Sequence, residues 1–124
     1  MKIFIADHSQ VVRARIMNVL SDIRDVTVVG SAQSVSDALT GVSRLRPDVV
    51  FLDSRLCDSC SIDLLRLMKT PLPDLRVIIL TDQAPRHART RQQSEFGGAD
   101  FLVDTTSDLA QIGDILLEFK HRSL

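Results

Sequence analysis

Five short runs of apolar and β-branched residues punctuate the chain, at 2–6, 26–32, 48–52, 76–80 and 101–103. Each is of strand length and scarcely broken by polar residues, the pattern of strands buried on both faces. Between the runs the period becomes helical. Val12, Ile16, Leu20 and Ile23 mark a first helix, Val35, Leu39, Val42 and Leu45 a second, and Ile62, Leu65 and Met68 a third. The last helix is the clearest: Leu109, Ile112, Leu116 and Phe119 form one stripe, while Asp108, Gln111, Glu118 and Arg122 face elsewhere. The segment 86–96, rich in Arg and Gln, has the weakest periodicity and is read as a further helix ended by Gly97-Gly98. Ser34, with Asp37 three residues later, predicts an N-cap with an acid at the positive helix end. Pro47 stops the second helix, and Pro71 and Pro73 close the third.

Strict βα alternation over this length predicts a parallel sheet with right-handed crossovers and helices on both faces, a three-layer α/β sandwich. Residues 1–124 are read as a single domain, with no internal repeat or linker. In such folds chemistry collects at the carboxyl ends of the strands. That rule selects Asp7 and His8 after the first strand, Asp53 after the third, Thr81 and Asp82 after the fourth, and Asp104 to Thr106 after the fifth.

Composition narrows the function. Fifteen Lys and Arg against sixteen Asp and Glu give a formal net charge of −1, without the basic excess of a domain that grips phosphate backbones, so no nucleic-acid partner is expected. No apolar run approaches a membrane span and the amino terminus meets Asp7 too early for a signal peptide; the expected location is cytoplasmic, with no membrane partner. There is no Trp or Tyr to stack on a base or flavin. Walker and Gly-x-Gly-x-x-Gly loops and a Gly-x-Ser-x-Gly elbow are absent, and Arg55 stands where a haloacid-dehalogenase-type phosphatase needs its second acid.

What remains is an acid cluster, Asp7 and Asp53, with the Thr81 hydroxyl nearby, able to bind a hard cation or to accept a phosphoryl group. Four stretches, in order and at their spacings, carry a resemblance: Ile5-Ala-Asp-His-Ser-Gln-Val-Val-Arg13, then Arg46-Pro-Asp-Val-Val-Phe-Leu-Asp53-Ser-Arg-Leu, then Val77-Ile-Ile-Leu-Thr81, and Gly98-Ala-Asp-Phe-Leu. The chain resembles the response-regulator receiver domain of two-component signalling over essentially its whole length. The resemblance implies a flavodoxin-like, doubly wound (βα)5 sandwich with strand order 2-1-3-4-5. It makes Asp53 the phosphoacceptor, Thr81 the hydroxyl that senses the phosphoryl group, and Asp7, Asp53 and the backbone carbonyl of Arg55 the ligands of Mg²⁺. It also implies a histidine kinase or phosphotransfer protein as donor, a downstream protein as target, no enzyme activity beyond self-phosphorylation and dephosphorylation at Asp53, and a homodimer through the last helices. With no output domain following, a stand-alone switch is expected; the alternative is a pseudo-receiver that binds partners without phosphorylation.

The departures are as informative. His8 replaces the second acid, Thr105 the lysine that pairs with the phosphoryl group, Leu102 the switch aromatic, Thr106 a common proline and Cys57 another. An imidazole in place of a carboxylate lowers the charge and the fit of a Mg²⁺ site. Three readings of His8 stay open: a ring filling the pocket rim, a protonated ring supplying positive charge without metal, or a neutral ring recruiting Zn²⁺ or Mn²⁺ with the two acids. Cys57-Asp58-Ser59-Cys60 has redox spacing but lacks a thioredoxin context and further zinc ligands, so coincidence is the leading reading and a reversible disulfide the other. Arg86, His87, Arg89 and Arg91 form a basic run, either a solvated face or a docking surface for an acidic partner.

Overall fold

The computed structural model describes residues 1–56, 61–81, 100–105 and 109–122. Five strands, β1 (Lys2–Ala6), β2 (Thr27–Ala32), β3 (Val49–Asp53), β4 (Arg76–Thr81) and β5 (Phe101–Asp104), form one parallel sheet in the order β2-β1-β3-β4-β5. Helices α1 (Gln10–Leu20), α2 (Val35–Leu45), α3 (Ser61–Lys69) and α4 (Ile112–Arg122) accompany it, the last led by a 3₁₀ turn at Leu109–Gln111. The flavodoxin-like architecture and strand order match the sequence reading. The helix expected at 86–96, the Cys57–Cys60 motif, Asp82, Thr106 and the basic run lie outside the described residues.

Alternation along the strands builds two cores. Ile3, Ile5, Phe51, Ile78, Leu80 and Val103 face α1 and α4 through Ile16, Leu20, Ile112, Leu116 and Phe119. Phe4, Ala6, Val50, Leu52, Val77, Ile79 and Leu102 face α2 and α3 through Ala38, Val42, Leu64, Leu65 and Met68. Each fully buried large side chain contributes roughly 1.5–3 kcal/mol, so the continuous apolar runs are what hold the sheet between its helices.

Close approach to Phe4 explains two glycines. The β1–β2 register slips between Ile3 and Phe4, bringing Phe4 opposite Gly30. A Cβ at Gly30 would lie 2.7 Å from Leu45 Cδ1 and 3.1 Å from the Phe4 ring, and one on Gly41 would lie 2.5 Å from that ring.

Helix α2 begins where the sequence indicates: the Ser34 side chain accepts the Asp37 N–H at 3.2 Å. Helix α1 ends at Leu20, one turn before Ile23, with Ser21 N–H bonded to Met17 O. The C-terminal ends of β3, β4 and β5 run one residue past the apolar runs, because the ladder continues through Asp53↔Leu80 and Thr81↔Asp104. Asp53 and Thr81 are therefore held in the sheet rather than on loops.

Candidate functional site

Asp7, directly beyond β1, is fixed twice. Its N–H bonds to Ala32 O at 3.0 Å, extending the ladder, and its Oδ1 accepts the Ser9 N–H at 2.8 Å. Ser9 in turn caps α1, its Oγ accepting the Val12 N–H at 3.2 Å. The Arg13 guanidinium donates to the Asp7 carbonyl at 2.5 Å. Asp53 is held by the turn that follows it: the Arg55 N–H donates to Asp53 Oδ1 at 3.0 Å and Leu56 N–H to the Asp53 carbonyl at 3.0 Å. Both carboxylates are buried, Asp7 at 3% and Asp53 at 5% exposure. Burial pushes the Asp7 carboxyl up to about 6, aided by the Asp53 charge and opposed by the Ser9 N–H and His8.

Between them stands His8. Its Nδ1 makes a short hydrogen bond to Asp53 Oδ2 and lies 3.7 Å from Asp7 Oδ1, while Nε2 is 3.3 Å from Arg55 Nη1. A guanidinium has no acceptor. The Arg55 contact therefore uses the Nε2 lone pair, which puts the ring proton on Nδ1, donating to Asp53. The result is a directed chain, Arg55 to His8 to Asp53, that sets the Arg55 guanidinium at the rim of the pocket.

These groups open onto a cavity of about 270 Å³, lined also by Arg15, Ser54, Thr81 and Thr105. Thr81 and Thr105 are coupled through the Thr105 N–H and Thr81 carbonyl at 2.8 Å. Thr105 is buried at 8% exposure, and Asp104, paired with Thr81, is half-buried, so among the described residues this end of β5 presents no cation. Leu102 is buried in the layer facing α2 and α3. The aromatic of β5 is its neighbour Phe101, whose ring tilts against Phe119 with centroids 5.4 Å apart.

The structure thus brings together Asp7, His8, Asp53, Arg55, Thr81 and Thr105. Sequence reasoning missed Arg15, the guanidinium of Arg13 and the side chain of Arg55. The N-cap at Ser9 fixes the phase of α1 and could have pointed to the first two; nothing in the sequence signals that the Arg55 side chain meets His8.

Candidate ligand atoms of Asp7, His8 and Asp53 lie within 4.8 Å of one another, the group among the described residues able to converge on a cation. The fit to Mg²⁺ is poor. That ion prefers oxygen ligands in near-octahedral geometry, whereas one of the three donors is a nitrogen, already bonded to Asp53 Oδ2 and flanked by a guanidinium. Zn²⁺ or Mn²⁺ suits the donor types better, but to bind either ion Nδ1 has to give up its hydrogen bond to Asp53 Oδ2.

Solved structures share the fold. The isolated receiver domain of RcsB from Salmonella enterica serovar Typhimurium superposes with a TM-score of 0.80 at 22% identity, over 98% of this chain and 89% of that one. The signal receiver domain of the putative response regulator NarL from Mycobacterium tuberculosis gives 0.75 at 23% identity, over 94% and 93%. The family model of the response regulator receiver domain matches residues 3–112, and the chain belongs to that family. Such domains are signalling modules that act with histidine kinases and downstream targets and typically bind Mg²⁺.

Among curated relatives, the DNA-binding transcriptional activator DevR/DosR of Mycobacterium tuberculosis is 42% identical over 80 residues, 64% of this chain and 37% of that protein. The response regulator protein VraR of Staphylococcus saprophyticus is 29% identical over 112 residues, 89% and 53% respectively. The chain spans about a third to a half of the length of these relatives. No helix among the described residues is long and apolar enough to cross a membrane.

Proposed function

We propose that this receiver accepts a phosphoryl group on Asp53 from a phosphohistidine of a histidine kinase or phosphotransfer protein in the cytoplasm, and passes the signal to a downstream protein by contact. The proposal is of the receiver unit, whether it works alone or joined to another domain. The observation that carries it is the placement of Asp53: a buried carboxylate at the end of a central strand, opening with Thr81 onto one small polar cavity. In the proposed step a carboxylate oxygen of Asp53 attacks phosphorus, the P–N bond breaks, and the donor imidazole keeps the electron pair and takes a proton, leaving an acyl phosphate. Oδ2 is the oxygen beside His8, so the ring swings outward as the phosphoryl group enters; its side chain is 44% exposed and has room to do so. Thr81 Oγ then bonds a phosphoryl oxygen, linking the new charge to β4.

The short His8–Asp53 contact favours a second reading, a pseudo-receiver whose acceptor is permanently covered and which recognises partners unphosphorylated. Mass spectrometry after incubation with a phosphodonor or the cognate kinase separates the two. A gain of one phosphoryl group on the wild type, lost in Asp53→Ala, supports acceptance. A folded wild type that gains nothing from any donor leaves the pseudo-receiver.

A further inference from the structure

We infer that Arg55, acting through His8, is a resident cation of the acid pocket and takes the place of a divalent metal ion there. The inference rests on the reading of this cavity as a phosphoryl-accepting site and adds what neutralises it.

Two buried carboxylates, Asp7 and Asp53, face one small cavity, and burial makes their charges costly without compensation. Compensation is already built in. The Arg55 guanidinium donates to His8 Nε2, and His8 Nδ1–H donates to Asp53 Oδ2, so the positive charge is relayed to the acceptor through a polarised ring. Arg15 lines the same cavity from α1. Among the described residues, the charged and titratable lining of the pocket is Asp7 and Asp53 against Arg15 and Arg55, with His8 between them, a near balance of charge.

A divalent ion entering this pocket must break the His8–Asp53 bond to reach Asp53 Oδ2 and must sit beside Arg55, whose charge repels it. The same guanidinium is suited to an incoming phosphoryl group, because its donor fork matches phosphate oxygens. His8 is thus a positioning residue, and Arg55 is the group placed to meet the phosphoryl oxygens.

The test is an amide NMR titration of the protein with MgCl₂, comparing wild type, His8→Asp and Arg55→Gln after each is shown to be folded. Wild type is expected to bind weakly, with shifts at Asp7, Asp53 and Arg55 that saturate only at high MgCl₂, while His8→Asp binds at least roughly tenfold tighter and Arg55→Gln about threefold tighter. Wild-type binding as tight as that of His8→Asp overturns the inference, and so does an Arg55→Gln variant indistinguishable from wild type. A His8→Asp variant that binds no better than wild type overturns the role of His8.

Beryllofluoride, an acyl-phosphate mimic, added in excess chelator supplies the second arm. Shifts at Asp53 and Thr81 that Mg²⁺ does not enhance support the inference, and shifts that require Mg²⁺ overturn it. No response to beryllofluoride under any condition counts against the phosphoryl-accepting reading, and the Mg²⁺ titration still decides the place of Arg55.

Discussion

Asp7 shows how one side chain ties the pocket to the stability of the fold. Its carboxyl is raised to about 6 from an ordinary 3.8 chiefly by burial, so the folded chain binds a proton more tightly than the unfolded one. The stability linked to that proton is fully present below about 3.8 and is lost as pH rises through about 6. Asp7→Asn keeps an oxygen for the Ser9 N–H and removes the charge. Urea unfolding is expected to show the variant more stable than wild type at pH 8, on the order of 1–3 kcal/mol, with the difference shrinking by pH 5. An equal gap at both pH values contradicts this account. At the same scale His8 shows what a single exchange does: an imidazole accepts from Arg55 on one side and donates to Asp53 on the other, a bridge no carboxylate can form.

At the scale of elements, the helices are started by local chemistry and seated by close contacts. Ser34 starts α2 as its sequence foretells, because an N-cap is an interaction over three residues and needs no tertiary partner. Gly41 is different. In an isolated helix, alanine there would stabilise by about 1 kcal/mol, but in the fold its Cβ would stand 2.5 Å from a Phe4 ring that is itself buried and pressed against Gly30. Overpacking of that kind costs about 1–3 kcal/mol, so Gly41→Ala is expected to lower stability, by about 1 kcal/mol net in a denaturant melt. A stabilised variant would mean that the ring moves freely. The second-strand slip that carries Phe4 onto Gly30 was not legible, since register is a property of two strands together.

At the scale of the whole molecule, Asp100 joins three elements at the edge of the sheet opposite the pocket. Its Oδ2 accepts the Val77 N–H at 2.8 Å and the Lys69 ammonium at 3.2 Å, and Arg76 lies 3.7 Å from Oδ1. Asp100→Ala leaves the Val77 donor without this partner and is expected to cost about 1–3 kcal/mol in equilibrium unfolding, while Asp100→Asn, which keeps an acceptor, costs less. Equal losses in the two variants would show that the ion pairs, and not the backbone contact, carry the stabilisation. Pattern along the chain is enough to give the alternation of strands and helices, the two apolar faces, the cap at Ser34 and the identity of Asp7, Asp53 and Thr81 as the residues at the strand ends. Those follow from periodicity and from the rule that chemistry gathers where parallel strands end, both local or topological. Folding in three dimensions is what sets Asp53 and Thr81 inside their strands, brings Arg15 to the cavity from α1, and brings Arg55, two residues past Asp53, to that carboxylate through His8. Each depends on where one side chain ends relative to another element, and no pattern along a single chain encodes that distance.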